Sequence, residues 1–302
     1  MAILQALVDP IIPVFAILAF GFIMGRLGKA SVDDARVINR FAMAVLLPIL
    51  SYKLVAQAPI YELNPLSMVI YAGSEALVFT FGYLLASRLF KRSAKESVLL
   101  AFCGIFANNA FYGLPISILL YGPENALPVT SIVAFDTTVV FAGAIVAMEM
   151  IDLGRVQPAK VAATLARSPM LVAIAAGLIT ALTQLTIPAP LQTFLDFNGA
   201  AAPPVALFAL GVVLSQTRIS LDGPVLAYST IKILIFPFVI WLGFEWFGQN
   251  IAQRQQFLLG AAAPSGAMGF VLALHYRVST QSIAQIIIVT SVVTLLSLAL
   301  LA

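Results

Sequence analysis

Long apolar runs separated by short polar stretches set the pattern of this chain. A helix that crosses a bilayer takes about 20 predominantly apolar residues. Runs of that kind lie at roughly 8–27, 36–57, 65–89, 97–121, 126–149, 169–186, 191–216, 224–247, 255–276 and 280–301. The pattern predicts ten membrane-spanning helices that take up about two-thirds of the chain. A membrane β-barrel would need about 10 residues of strict alternation per strand, and runs such as Met170–Leu182 do not alternate. The longest stretch between spans, roughly 150–168, is expected to be a connector carrying a short helix on the membrane surface. The first run lacks a basic lead-in and has Asp9 near its start, so it is expected to stay as a span rather than be cleaved as a signal peptide.

Composition agrees with that picture. Of 302 residues, 61% are hydrophobic and 10% charged, and the mean hydropathy is +1.03. So few charges could not cover a water-soluble globule of this size, which excludes a soluble enzyme and a disordered chain. The net charge of +3 is no nucleic-acid footprint, because the basic residues sit in short clusters between apolar runs. One cysteine, Cys103, excludes a disulfide framework and a thiolate metal site. With both termini outside, thirteen of the sixteen Lys and Arg residues gather at inner ends and loops, and only Arg254 lies outside. Lys53 and Lys232 fall within spans. The positive-inside tendency therefore predicts periplasmic termini in a bacterial inner membrane.

Five spans precede the connector and five follow it, so the second half enters the membrane from the opposite side. That is the signature of an inverted-topology repeat. The strongest internal match joins the fourth and ninth spans. The fourth reads Ala107-Asn108-Asn109-Ala110-Phe111-Tyr112-Gly113-Leu114-Pro115, and the ninth Ala261-Ala262-Ala263-Pro264-Ser265-Gly266-Ala267-Met268-Gly269. Both put helix breakers in mid-run. A weaker match pairs Pro48 in the second span with Pro203 and Pro204 in the seventh. Broken backbone at membrane depth is tolerated where it lines a cavity or is buried in protein, so matched breaks point to a midplane binding site. The alternative is harmless kinking by residues that are common in membrane helices.

Phe106-Ala107-Asn108-Asn109 through Gly113-Leu114-Pro115, ending Leu120-Tyr121-Gly122, resembles the fourth-helix motif of the auxin efflux carrier family. Ala202-Pro203-Pro204-Val205-Ala206-Leu207-Phe208-Ala209-Leu210-Gly211 resembles its seventh-helix pattern, and Ala262-Ala263-Pro264-Ser265-Gly266 its ninth. The resemblance covers essentially the whole chain. It implies an all-α integral membrane protein with the fold of sodium/proton antiporters and bile-acid symporters, in which broken helices 4 and 9 cross. It also implies scaffold helices 1–2 (1–60) and 6–7 (169–218), transport helices 3–5 (61–150) and 8–10 (219–302), a connector at 151–168, and a homodimer through the scaffold. The connector here is far shorter than the regulatory loop of the plant exporters, so loop regulation does not carry over.

Each break creates a half-helix N-terminus, expected near Gly113-Leu114-Pro115 and near Ser265-Gly266. Such an end carries about half a positive charge and free N–H donors. Two facing one cavity would hold an anion, most simply a carboxylate. Asn109 is the first candidate contact and Asn108 the second, with Tyr112, Gly113, Pro115, Pro264, Ser265 and Gly266 completing the expected substrate site. The alternatives are that the asparagines cap the broken backbone and that Tyr112 packs on a neighbouring helix. The resemblance implies that the crossover asparagine binds the substrate carboxylate.

Glu75, Asp136 and Lys232 each lie roughly half-way through a span, where charge is costly and usually functional. They are candidates for proton coupling or charge compensation, and the lysine could stand in for a bound cation. The resemblance favours Glu75 for the proton. The alternative is a structural pair of Lys232 with either carboxylate. Lys53 is expected to reach the headgroups, Glu245 to be solvated, His275 to sit at the inner interface, Cys103 to be a small buried apolar group, and Trp241 and Trp246 to join an interfacial belt.

Together these readings predict a secondary transporter of an organic anion, working by elevator-type alternating access, proton-coupled or uniport, with no bound cofactor. A sodium-coupled symporter is the first alternative and a cation/proton antiporter the second, the latter weakened by asparagines where carboxylates would be wanted. A single histidine, with no His/Glu metal cluster and no Gly-x-Ser-x-Gly elbow, argues against a membrane enzyme, and the lack of a phosphate-binding loop excludes an ATP-driven pump.

Overall fold

The computed structural model describes residues 16–58, 61, 64–121, 127–154, 163, 166–167, 169–216 and 221–301. Asp9 and the start of the first span lie outside the described residues, as do most of the connector and the basic residues Arg155, Lys160 and Arg218.

The described chain is helical apart from turns and one isolated bridge. In order it forms α1 (Ala16–Arg26), α2 (Val32–Ala56) and α3 (Pro65–Leu89). Then comes α4a (Ala94–Ile105), separated by a break from α4b, a π-helical turn at Asn109–Gly113 that continues as Leu114–Tyr121. α5 (Leu127–Leu153), α6 (Pro169–Thr183), α7 (Ala189–Ser215) and α8 (Gly223–Trp246) follow. α9a (Ile251–Ala262) breaks before α9b (Met268–His275), and α10 (Gln281–Leu301) ends the chain. α2, α3, α5, α7 and α8 are long and apolar enough to cross a membrane by themselves. α1, α6 and the Gln281–Thr294 part of α10 are shorter apolar helices.

Local chemistry sets the ends. Asn64 accepts from the N–H groups of Leu66 and Ser67, and Pro65 occupies the first turn of α3. Ser31, Ser93 and Asp222 cap α2, α4a and α8 in the same way. The expected break in the ninth span is present, between Ala262 and Met268. In the fourth span the second half begins at Asn109, one turn earlier than the proline and glycine suggest, so Gly113 and Pro115 lie inside a helix already under way. Having no N–H, Pro115 forgoes the bond it would otherwise donate back into the π-helical turn that precedes it. α7 runs unbroken through Pro203 and Pro204. α2 contains a π-helical turn at Ala42–Leu46 just before Pro48.

Small residues let helices touch backbone to backbone, the usual device where lipid supplies no hydrophobic drive for association. Gly21 of α1 lies against the Phe208 carbonyl of α7, and Gly211 of α7 against the Leu18 carbonyl of α1. A Cβ at Gly177 of α6 would come within 2.9 Å of the Tyr52 carbonyl oxygen of α2. A single large apolar cluster joins these helices to those around the two breaks. Many apolar side chains face outward instead, among them Phe20, Val69, Leu77, Leu234 and Phe238, as a bilayer-facing surface requires.

Candidate functional site

The two breaks meet. Ala107 and Ser265 form an antiparallel bridge. The Asn108 N–H donates to the Pro264 carbonyl at 2.8 Å, and the Gly266 N–H to the Phe106 carbonyl at 2.9 Å. Backbone groups freed by each break are thus paired by the other, as burial in an apolar medium demands. Gly266 makes the approach possible, since a Cβ there would stand 2.8 Å from the Phe106 ring. Ser265 adds two further ties: its hydroxyl donates to the Cys103 carbonyl at 2.9 Å, and its N–H to Thr290 Oγ1 of α10 at 3.1 Å.

α4b and α9b both start at this crossing, so the first N–H groups of two helices lie beside it. A cavity of about 60 Å3 opens against it. Phe106 to Asn109 and Gly266 to Met268 line it on one side; α2, α6 and α7 contribute mainly apolar residues, Leu47, Leu50, Met170 and Leu207, together with Ser51. Asp136 and Thr137 of α5 line it as well.

Behind the cavity lies a buried polar cluster. Asn109 is 2% exposed, and its Nδ2 donates to Asp136 Oδ2 at 3.5 Å. Its Oδ1 sits over Gly113 and 3.4 Å from where a Gly260 Cβ would be, so both glycines make room for this amide. The Tyr71 hydroxyl donates to Asp136 Oδ1 at 3.3 Å. Both carboxylate oxygens of Glu75, one turn along α3 from Tyr71, are buried without a hydrogen-bond partner. The Lys232 ammonium donates to the Ala261 carbonyl at 2.7 Å and lies 4.8 Å from the centre of the Phe236 ring. That carbonyl belongs to the C-terminal end of α9a, where the helix dipole favours a cation. Asn109, Asp136 and Lys232 all sit on π-helical turns, which widen a helix locally and recur at functional sites.

Of the residues expected at the substrate site, Asn108, Asn109 and Gly266 line the cavity, and the coupling candidate Asp136 joins them. Tyr112 does not. It packs in a small separate cluster with Ala107, Ile116 and Ala263. Gly113 serves the Asn109 side chain, Pro264 supplies a carbonyl to the crossing, and Ser265 spends its donors on Cys103 and Thr290. The Pro115 side chain lies outside the described residues. No ion pair of Lys232 with Glu75 or Asp136 forms within 4.0 Å, so the simple structural pair is replaced by the helix-end carbonyl.

Elsewhere Lys53 pairs with the half-exposed Asp196 at 2.7 Å, and the exposed Glu245 pairs with Arg254. Cys103 is fully buried, as expected, and His275 lies against Tyr276 at the end of α9b. Tyr71 is the residue the sequence reading passed over. Its position four residues before Glu75 put it on the same helix face, and that spacing was the available signal.

A sequence model of a family described as membrane transport protein matches residues 6–155 and 155–302. A Rhizobium meliloti protein named "putative malonate transporter" is 27% identical over 296 residues, 96% of this chain and 92% of its own length. An Escherichia coli K12 protein named "uncharacterized transporter YfdV" is 23% identical, covering 91% of this chain and 90% of its own. A Methanocaldococcus jannaschii protein, also named an uncharacterized transporter, is 22% identical, covering 97% and 96%. Apolar helices, crossed breaks and these matches agree: the chain is an integral membrane protein and belongs to the membrane transport protein family, that of the auxin efflux carriers.

Proposed function

We propose that this protein is a secondary transporter of a small carboxylate, bound where the two broken helices cross. The observation that carries the reading is the cavity at the crossing, where the starts of α4b and α9b, with Asn108 and Asn109, offer neutral donors to an anion. The name of the Rhizobium relative makes malonate the first anion to try.

Five single helices, three shorter apolar ones and the two broken ones together support ten crossings, and the crossing itself supports an inverted repeat. The mainly apolar residues of α2, α6 and α7 line the cavity together with the polar groups of Asn108, Asn109, Asp136 and Thr137 from the fourth span and α5. That division suits an elevator, in which the polar group slides along the apolar one. Periplasmic termini in the inner membrane, and a dimer through the apolar group, complete the reading.

Coupling follows from Asp136. A carboxylate ligand and an ionised Asp136 would repel in one small low-dielectric cavity. The anion is accommodated when Asp136 carries a proton, which makes symport of anion and proton the favoured mode. Lys232 already holds the helix-end carbonyl that a sodium ion would seek, which weighs against sodium. Glu75, adjacent on α3, is the second proton holder.

Thermal stabilisation of the purified protein by carboxylates, at two pH values and with or without sodium, tests the site and its coupling. Malonate is expected to raise Tm more at low pH, with no need for sodium. Asn108→Ala and Asn109→Ala are expected to abolish the rise, and Asp136→Asn to keep it while removing its pH dependence. Stabilisation by sodium alone, with none by any carboxylate, would overturn the reading.

A further inference from the structure

The cavity is not the only polar feature at the crossing. Asn64, Ser67, Tyr71 and Glu75 lie at successive turns of α3, on one face. Gln249, and Gln253 of α9a, stand against Asn64 and Ser67, and Gln256 follows Gln253 by one turn along α9a. Asn64 Nδ2 donates to Gln253 Oε1 at 3.3 Å. Ser67, fully buried, donates its hydroxyl toward Gln253 Oε1 at 3.3 Å and Gln249 Oε1 at 3.4 Å. One turn deeper, Gln256 is 6% exposed and its Oε1 has no partner. Phe257 beside it lies 5.6 Å from the Tyr71 ring, centre to centre, so Gln256 and Tyr71 stand at one depth. The Tyr71 hydroxyl then reaches Asp136.

α4b packs on α9a and reaches the Tyr71 end of this face through Asn109 and Asp136. Tyr112 and Ile116 pack on Ala263, with Leu259 against the same cluster. On α4b the Tyr112 hydroxyl, the Ser117 hydroxyl and Asn109 Oδ1 are buried without partners. With Gln256 Oε1 and both oxygens of Glu75, unpaired buried oxygens concentrate between α3, α4b and α9a. Native interiors rarely leave such atoms unpaired, and internal water is what usually pairs them, at about three hydrogen bonds per molecule. Polar residues inside a membrane protein also mark ion and proton pathways.

We propose that a file of water enters between α3, α4b and α9a from the end marked by Asn64 and Gln249 and ends at Glu75 and Asp136. It gives the proton a route of its own. Asn109 and Asp136 belong both to this route and to the cavity, so proton and anion meet there from opposite sides. The charged and titratable groups facing the inner end are Tyr71, Glu75, Asp136 and Lys232; at the outer end stand Glu245 and Arg254, paired with each other. As a route for protons the file rests on the proton-coupled reading above; as a file of water it does not.

Two measurements separate those claims. Hydroxyl-radical footprinting of the unaltered full chain reports water beside each tyrosine. Tyr71, Tyr112 and Tyr228 are all buried, but Tyr228 donates to the Gly82 carbonyl in surroundings with fewer unpaired atoms. Tyr71 and Tyr112 are expected to be modified on the order of tenfold faster than Tyr228. Equal rates for the three would overturn the file. In proteoliposomes, Gln256→Leu is expected to slow acid-driven uptake of labelled malonate on the order of tenfold while malonate still raises Tm as in the unaltered protein. Acid-driven uptake at the original rate would overturn the route. Uptake indifferent to pH in the unaltered protein would defeat the coupling reading instead, and footprinting would still decide whether the water is there.

Discussion

The crossing has two flanks, and they differ. On one, Tyr71 precedes Glu75 by one helical turn; on the other, Tyr228 precedes Lys232 by the same spacing. Tyr71 spends its hydroxyl on the side chain of Asp136, which can gain or lose a proton. Tyr228 spends its hydroxyl on the Gly82 backbone, which cannot. Around Tyr71 lie both unpaired oxygens of Glu75 and that of Asn109. Around Tyr228 the Ser229 hydroxyl is unpaired, but Ser265 is bonded twice, to Cys103 and Thr290, and Gly104 packs on Ile231. Unspent hydrogen-bonding capacity is what a site needs in order to respond to a proton or a ligand. Largely spent capacity is what a joint needs in order to hold. The two flanks divide these tasks.

Three substitutions would break or sharpen that contrast. Lys232→Met should have the largest effect. It removes the buried cation that faces Glu75 and Asp136 and strips the end of α9a of its donor, at a cost of about 3 kcal/mol in unfolding measurements, with uptake lost. Thr290→Val should be intermediate and of the opposite character. It leaves the Ser265 N–H without its acceptor, for a loss of about 1–2 kcal/mol, yet the response of carboxylate binding to pH should stay as it is. If that response moved instead, the bonded flank would not be a mere joint. Asp196→Asn, away from both flanks, should matter least. It removes a half-exposed ion pair with Lys53, so the melting temperature should barely move, and whatever shift remains should vanish at high salt.

Much of this could be read from the chain because hydrophobic runs are a one-dimensional signal. The edges of the third and eighth spans are observed as Pro65–Leu89 and Gly223–Trp246, close to where the apolar pattern put them. The breaks were legible because Pro and Gly mark them locally. Partners were not, since they depend on which turn of another helix arrives opposite. Ser265 reads as a site residue but faces Cys103 and Thr290. Asn109 reads as a free donor but turns to Asp136. The start of α4b escaped for another reason: the π-helical turn at Asn109–Gly113 has no sequence mark of its own, and the nearby proline drew attention one turn too far.

The bridge at Ala107 and Ser265 is made of main-chain atoms, and this frees most of the side chains around it. The bonds from Asn108 to Pro264 and from Gly266 to Phe106 would form with other side chains at 106 and 108. Positions 106 and 266 are tied to each other, since the Phe106 ring leaves no room for a Cβ at 266. A lineage can therefore exchange the residues that greet the cargo without loosening the pivot that carries it. Divergence in what is carried, over an unchanging frame, is the evolutionary pattern such a joint permits.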